Sequence, residues 1–100
     1  MKKSVSRPER KLQPKIIADI RSRNGLACKV LPFNIIGIPD LICALPGTSL
    51  FFLEVKTDTG ELSKIQTATI AWLKTLGVDA YVVYGIMDWV ELRTRLLSKV

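Results

Sequence analysis

Three charged residues, Asp40, Glu54 and Lys56, interrupt an otherwise apolar stretch between residues 37 and 56. Such charges are costly to bury unless they pair with one another or bind a metal ion. Two converging carboxylates suit a hard divalent cation such as Mg²⁺, and a lysine beside that cation could orient or deprotonate a water molecule. The residue types therefore predict a hydrolytic metal site. The alternative is a plain ion pair between Lys56 and one carboxylate at a strand end.

The convergence of these groups depends on a β-hairpin. The apolar runs predict strands at 39–45 and 50–56, and the Pro-Gly-Thr sequence at 46–48 predicts the turn between them. A three-residue turn sets Asp40 directly opposite Glu54, so that both side chains lie on one face of the hairpin. A register shifted by one residue would place the two carboxylates on opposite faces.

The motifs around these residues resemble a known family. Pro39-Asp40 followed by Glu54-Val55-Lys56 is the PD…(D/E)xK pattern of the restriction-endonuclease-like nucleases. With the neighbouring motifs Gly37-Ile38-Pro39-Asp40 and Gly60-Glu61-Leu62-Ser63, and with Gln66, it resembles the small virus-type replication-repair nucleases, the VRR-NUC family. The resemblance extends from about Glu9 to the last predicted helix.

This resemblance implies a Mg²⁺-dependent nuclease in which Mn²⁺ can substitute for Mg²⁺. Asp40 and Glu54 would be the metal ligands, and the backbone carbonyl of Val55 would be a further one. Lys56 would orient the attacking water or stabilise the charge on the phosphate. Glu9, on the first helix, and Gln66, at the start of the second, would complete the site.

Glu9 and Gln66 also have a structural interpretation, as helix-capping residues. Ser6 and Glu9 have the spacing of a helix capping box, and Ser63 and Gln66 have the same spacing. In that interpretation each side chain bonds only the backbone at the start of its own helix. Pro14 predicts that the first helix is either kinked at this residue or begins later, near Gln13.

The positive charge of the chain is concentrated at its start. The formal net charge is +6, and residues 1–24 hold eight basic residues against two acidic ones, whereas the remainder is balanced. A one-sided basic segment predicts contacts with nucleic-acid phosphates, and a solvated tail and helix face is the alternative. The predicted DNA-binding residues are Arg7, Arg10, Lys11, Lys15 and Lys29. For Lys29 the alternative is a surface lysine on a strand.

Composition excludes several classes of site and of location. The chain has no histidine, which removes histidine-based nucleases, histidine zinc sites and Ser-His hydrolases. Cys28 and Cys43 are predicted to be reduced thiols in the core, without a disulfide or metal role. No apolar run approaches a membrane span or a signal peptide. We therefore expect a soluble, intracellular protein, in the host cytoplasm if it is viral or phage-like.

The pattern of elements predicts one domain over residues 1–100, with a flexible basic arm at 1–5. A first helix ends at Asn24-Gly25, a strand follows at 26–33, and the hairpin comes next. A helix at 63–76, a strand at 79–84 and a helix at 88–99 complete the order αβββαβα, a single α/β domain. This order agrees with the restriction-endonuclease-like fold, a mixed sheet flanked by helices.

Individual positions in these elements are predicted to be buried. They are Ile65, Ala68, Trp72, Leu73 and Leu76 on the second helix, Leu92 and Leu96 on the third, and the aromatic residues Tyr84 and Trp89.

Two functions follow from this sequence. The first is a structure-specific endonuclease that cuts branched DNA in the manner of Holliday-junction resolvases, in DNA repair. Symmetric cutting of a junction suits a homodimer, for which the apolar loop at Ile35-Ile36 is the predicted contact. The second is a DNA-binding module without catalysis, in which the basic segment binds and Asp40, Glu54 and Lys56 form an internal ion-pair cluster.

Overall fold

The computed structural model describes residues 8–31 and 34–99. The predicted order of elements is confirmed, whereas the predicted arm at 1–5 lies outside the described residues. The elements are α1 (Pro8–Ser22), β1 (Leu26–Lys29), β2 (Leu41–Ala44), β3 (Phe51–Lys56), α2 (Lys64–Thr75), β4 (Asp79–Tyr84) and α3 (Ile86–Leu97).

The four strands form one mixed sheet in the order β1-β2-β3-β4. The first three strands are antiparallel to their neighbours, and β4 runs parallel to β3 because α2 connects them as a crossover. Leu41 lies opposite Leu53, so the predicted register of the hairpin is confirmed. Thr48 fixes the turn, since its amide donates to the Leu45 carbonyl at 2.9 Å and its hydroxyl accepts from the Leu45 amide.

Each face of the sheet carries an apolar layer. On one face, α1 and α3 pack against side chains from all four strands, and the fully buried residues include Ile16, Ile20 and Trp89. On the other face, α2 packs against β4 through Ile70, Leu73 and Ala80. The two layers hold the hairpin between helices, and every second side chain of β3 points into each layer.

A polar network joins α1 to α3 across the larger layer. The Asp19 carboxylate accepts from the Trp89 indole at 2.9 Å and from Arg93 at 3.0 Å. Burial by itself would raise the pKa of Asp19, but these two hydrogen bonds and the charges of Arg93 and Arg23 lower it overall. The carboxylate is therefore held ionised as a link between the two helices.

The start of the chain differs in detail from the prediction. Helix α1 begins at Pro8 and continues through Pro14, so its start is not delayed to Gln13. Asn24, with φ of 65°, adopts the left-handed conformation that we expected of Gly25. Gly25 instead allows close packing, because a Cβ there would collide with the Ala44 carbonyl and with Ile20.

The strands and α3 also differ in length from the prediction. β1 ends at Lys29, and β2 spans only Leu41–Ala44. Helix α3 starts two residues earlier than predicted, directly after Gly85, whose φ of 90° turns the chain out of β4. The observed strands, of four to six residues, lie within the usual range for globular proteins.

Several predicted core residues are at the surface. Leu73, Leu92, Leu96 and Trp89 are buried as predicted, but Ile65, Ala68, Trp72 and Leu76 on α2 are exposed. The predictions for Cys28 and Tyr84 were also wrong, since both side chains are exposed. Helix α2 is rotated so that Ile70 and Leu73 face the sheet, and Cys28 lies on the edge strand, where α2 does not cover it.

No helix within residues 8–31 and 34–99 is both long enough and apolar enough to cross a membrane.

Candidate active site

Glu54 and Lys56 lie at the carboxyl end of β3, on the face that α2 covers. The strand alternates, so Phe51, Leu53 and Val55 enter the layer beneath α1 and α3, and Glu54 and Lys56 point the other way. Glu54 is only 2% exposed and is the one buried charged residue in the described part of the chain. A carboxylate so deeply buried requires partners or a cation.

The loop before β2 brings Asp40 to the same place. Gly37 has φ of 83°, and a Cβ there would collide with Ile65 and with the Thr69 hydroxyl, so only glycine lets this loop pack against α2. Pro39 is fully buried. The Asp40 carboxylate then accepts a hydrogen bond from the Val55 amide at 3.0 Å, which fixes it beside β3.

The two oxygens of Glu54 have different surroundings. Oε2 accepts from the Gln66 side-chain amide at 3.1 Å and lies 3.5 Å from the Lys56 ammonium. Oε1 is buried and has no hydrogen-bond partner among the residues that the structure describes. A buried oxygen without a donor is costly, so Oε1 is the position at which the site lacks a positive or donating group.

Gln66 serves the helix and the carboxylate at once. The side-chain Oε1 of Gln66 accepts from the Ser63 backbone amide at 2.9 Å, and the backbone amide of Gln66 donates to the Ser63 hydroxyl, which completes a capping box. This arrangement leaves the side-chain Nε2 free to donate to Glu54. The capping interpretation of Gln66 is therefore confirmed, and the same side chain also contacts Glu54, because capping orients its amide toward the carboxylate.

The electrostatics of the pair follow from this geometry. Burial, the largest cause, and the neighbouring Asp40 charge together raise the pKa of Glu54 to about 7, although Lys56 acts in the opposite direction. One nearby ammonium is thus insufficient to offset the burial of Glu54 next to a second carboxylate. Additional positive charge at this point would be strongly favoured.

The residues present fit a hard divalent cation. Asp40 and Glu54 supply carboxylate oxygens, one of which is the unpartnered Oε1. The described residues contain no cluster of three Asp, Glu, Cys or His side chains, so further ligands would be backbone oxygens or water. The backbone of Glu9 lies in the first turn of α1, and its side chain is outside what the structure describes.

The predicted DNA-binding residues do not all lie together. Lys11 and Lys15 line a cleft of about 400 Å³ with residues that follow β3 and β4. Lys29 pairs with Leu41 and so lies on the opposite face of the sheet from Glu54. Arg7 and the side chain of Arg10 lie outside the described residues.

Residues after the two parallel strands were not predicted as part of a site. Thr57, Asp58, Thr59 and Gly85 line the same cleft as the two lysines. A signal for them exists in the sequence, because the carboxyl ends of adjacent parallel strands meet at one edge, where ligands commonly bind. Using it requires knowing that β3 and β4 are neighbours.

Comparison with known families places this geometry in context. The model of the VRR-NUC domain matches residues 9–87, which include the hairpin, the start of α2 and β4. The chain belongs to the VRR-NUC family. VRR-NUC domains are nuclease-like domains that act on DNA, so membership supports an endonuclease in general terms. A comparison with curated proteins found no match.

Two solved structures share the VRR-NUC fold. One, a VRR-NUC domain, is 22% identical, with a TM-score of 0.80 over 89% of this chain and 97% of that chain. The other, a VRR-NUC domain protein, is 16% identical, with a TM-score of 0.71 over 98% of this chain and 92% of that chain. These likenesses establish the fold, a mixed sheet flanked by helices, in agreement with the prediction from the sequence.

Proposed function

We propose that this protein is a Mg²⁺-dependent endonuclease that hydrolyses phosphodiester bonds in branched DNA. The observation that carries the proposal is the unpartnered, buried Oε1 of Glu54 beside the Asp40 carboxylate. A structural ion-pair cluster would be expected to satisfy that oxygen, whereas a metal site needs it free. Membership of a nuclease-type family supports the same reaction class.

Asp40, Glu54 and the Val55 carbonyl would hold the cation, with Glu9 as a further ligand. A bound Mg²⁺ or Mn²⁺ polarises the scissile phosphate and lowers the pKa of a water molecule. Lys56 holds a positive charge beside Glu54, where it can orient that water or stabilise the developing phosphate charge. Gln66 keeps Glu54 in position through its amide and so acts as a positioning residue.

The substrate is expected to bind along the basic surface. Lys11 and Lys15 are exposed beside the carboxyl ends of β3 and β4, near the end of β3 where Glu54 and Lys56 lie. Phosphate contacts from this surface, together with contacts that the sequence predicts for Arg7 and Arg10, would position the duplex without reading its sequence. Preference for branched DNA and paired cutting by a homodimer are the finer parts of the proposal, and they rest on resemblance to small family members.

The test is a cleavage assay on four-way junction, flap and linear duplex DNA of identical sequence. The expected result is cutting of the junction with Mg²⁺ or Mn²⁺ and no cutting with EDTA. A cruciform plasmid reports whether the two incisions are paired. DNA binding without cleavage in either metal would favour the second function, a non-catalytic DNA-binding module.

Replacing Lys56 with alanine should separate catalysis from metal binding. We expect a loss of cleavage of about 10²-fold or more, because the ammonium beside the reacting groups is removed. Mn²⁺ affinity, measured by calorimetry, should persist, because both carboxylates remain and lose a competing cation. Lys74→Ala, which removes an exposed lysine at the far end of α2, is the matched control. A fall in Mn²⁺ affinity as large as that of Asp40→Ala would show that Lys56 is misassigned.

A further inference from the structure

An apolar stripe runs along α2 on the side that does not face the sheet. Ile65, Trp72 and Leu76 are 52%, 47% and 58% exposed, and their spacing places them on one side of the helix. The residues that do face the sheet, Ile70 and Leu73, lie roughly a quarter of a turn away. The stripe is therefore a second apolar side of the helix, and about half of each of its three side chains is exposed.

The loop before the active site extends this stripe. The Thr69 hydroxyl donates to the Ile36 carbonyl at 2.8 Å, and Gly37 packs against Ile65, so the loop lies along the flank of α2. Ile36 is 73% exposed and Ile35 is also exposed. Two exposed isoleucines thus adjoin the stripe at the first turn of α2, which also carries Gln66.

The sheet itself is open beside this flank. Leu26 and Cys28 are exposed on the face that carries Glu54, because Ala27 between them enters the opposite layer. Helix α2 packs over β4, so it leaves this face of β1 uncovered. The loop that lies against α2 leads into the start of β2, which pairs with the Cys28 end of β1, so Cys28 is the part of this open face that lies nearest the loop.

We call the combined surface, formed by Leu26, Ile35, Ile36, Ile65, Trp72 and Leu76, the apolar face. Six large side chains that are each about half exposed present on the order of 500 Å² of apolar surface, near the upper end for a monomer. With the backbone and polar rim around them, this approaches the roughly 800 Å² that each partner contributes to a standard interface. The area therefore suits a protein partner.

We propose that the apolar face is the contact between two copies of this chain in a two-fold dimer. A two-fold contact brings a surface against itself, so a charged surface would repel its copy and a neutral one is self-complementary. The six residues carry no charge, although the chain carries +6. DNA would require basic residues instead, and none of the six is basic, whereas the lysines that line the cleft, Lys11 and Lys15, lie on α1.

The apolar face would be the interface of the proposed dimeric nuclease, and this inference rests on that proposed function. Ile65 immediately precedes Gln66, so contact through the stripe places the first turn of α2 from each copy close to the interface. The two candidate sites are then held at one fixed separation. That arrangement is what paired incision of two strands requires.

Mass in solution tests the interface directly. The wild-type chain should have twice its mass of 11.2 kDa at micromolar concentration by light scattering. Trp72→Glu should shift the dimer toward monomer by at least tenfold in dissociation constant, because like charges would meet across the two-fold axis. Met87→Glu is the matched control, since Met87 is exposed on α3 away from the apolar face, and it should remain dimeric. Circular dichroism checks that both variants fold.

Alkylation of Cys28 provides a second measurement that needs no substitution. Cys28 should react several-fold more slowly above the dimer dissociation constant than below it, with buried Cys43 as the internal control. A wild-type monomer, a dimeric Trp72→Glu variant or an unprotected Cys28 would each overturn the interface. Weaker DNA binding by Trp72→Glu at unchanged mass would identify a DNA contact instead, and would also overturn it. Cleavage by a monomeric protein would leave the proposed reaction intact.

A separate observation assigns a role to Pro39. The register of the hairpin, continued two residues past Leu41, sets Pro39 opposite Val55. The Val55 amide points toward β2, since it donates to Asp40, and in a strand the carbonyl of the same residue points to the same side. Proline has no N–H with which to bond that carbonyl. No donor outside the ladders bonds it among the residues that the structure describes.

We infer that Pro39 keeps the Val55 carbonyl free to act as a ligand in the proposed metal site, and that any other residue would supply a competing N–H. Pro39→Ala should therefore lower Mn²⁺ affinity about tenfold by calorimetry. Pro46→Ala, which changes an exposed proline in the turn of the same hairpin, should leave the affinity unchanged.

The wild-type chain gives an independent measurement for this role. The Val55 carbonyl ¹³C resonance should shift when Mg²⁺ is added, whatever the fate of the variant. An unshifted resonance, or equal Mn²⁺ affinities of the two proline variants, would overturn the inference. Loss of cleavage without loss of Mn²⁺ affinity in Pro39→Ala would overturn it as well.

Discussion

Asp40→Asn and Glu54→Gln should each abolish cleavage, with a loss of about 10³-fold or more in single-turnover rate. Each substitution keeps the shape of the side chain and removes a charge that the proposed cation needs. Loss should be similar for the two variants, because two carboxylates that share one ion act as a unit. Glu61→Gln, which neutralises an exposed carboxylate outside the site, should cut DNA at the wild-type rate.

Although Glu54→Gln should abolish cleavage, the same two-carboxylate arrangement predicts that it makes the metal-free fold more stable above neutral pH. The pKa of Glu54 is raised from 4.5 to about 7 in the metal-free fold, so the folded state binds the proton more tightly than the unfolded state. Stability that depends on this proton is fully present below about pH 4.5 and is lost as the pH rises through about 7. Above that pH the wild-type carboxylate is charged and buried at a cost of the order of a few kcal/mol.

Thermal melts in EDTA measure this effect. Glu54→Gln should melt above the wild type at pH 8 and close to it at pH 5, whereas Glu61→Gln should follow the wild type at both. Adding Mg²⁺ should raise the melting temperatures of the wild type and of Glu61→Gln, but not that of Glu54→Gln. A Glu54→Gln variant that cleaves normally would disprove the site. One that is less stable than the wild type at pH 8 would disprove the electrostatic explanation while leaving the site in place.

Neutralising the basic start of the chain should weaken DNA binding by about 10²-fold at low salt. The change is deletion of residues 1–5 together with replacement of Arg7, Arg10 and Lys11 by alanine. For every phosphate that the variant no longer binds, the slope of log affinity against log salt should fall by about 0.9. Fluorescence anisotropy with a labelled four-way junction, over a series of salt concentrations, gives both quantities.

A matched control separates direct phosphate binding from net charge. Alanine at Lys74, Arg95 and Lys99 removes three positive charges from α2, α3 and the end of the chain, the same number that alanine at Arg7, Arg10 and Lys11 removes without the deletion. The control should change the slope little, because those residues lie away from the cleft that Lys11 lines. Equal slopes for the two triple variants would mean that the basic segment does not contact DNA, and that only overall charge attracts it.

The hairpin was predictable from the sequence because its determinants are local. Pro46-Gly47-Thr48 fixes a three-residue turn, and Thr48 closes it onto Leu45. The turn sets the register, and the register sets Asp40 beside Glu54. The arrangement of the two carboxylates thus needed no information from the rest of the chain.

The face that α2 turns to the sheet could not be read in the same way. The helix has two apolar sides, one with Ile70 and Leu73 and one with Ile65, Trp72 and Leu76. Helical periodicity fits either choice. Gln66 contacts Glu54, twelve residues away in the chain, only when the side with Ile70 and Leu73 faces the sheet. Edge positions such as Cys28 were missed for a related reason, because strand order is a property of the whole sheet.

The double role of Gln66 has a thermodynamic consequence. One side-chain amide bonds both the first turn of α2 and the carboxylate of Glu54, so fraying of that turn and release of the carboxylate are coupled. Linkage makes such a connection reciprocal. A ligand that stabilises the held position of Glu54 therefore also stabilises the start of the helix, by the free energy of coupling between the two. Slower amide exchange in the first turn of α2 would therefore report occupancy of the site from a distance, without any measurement of the reaction.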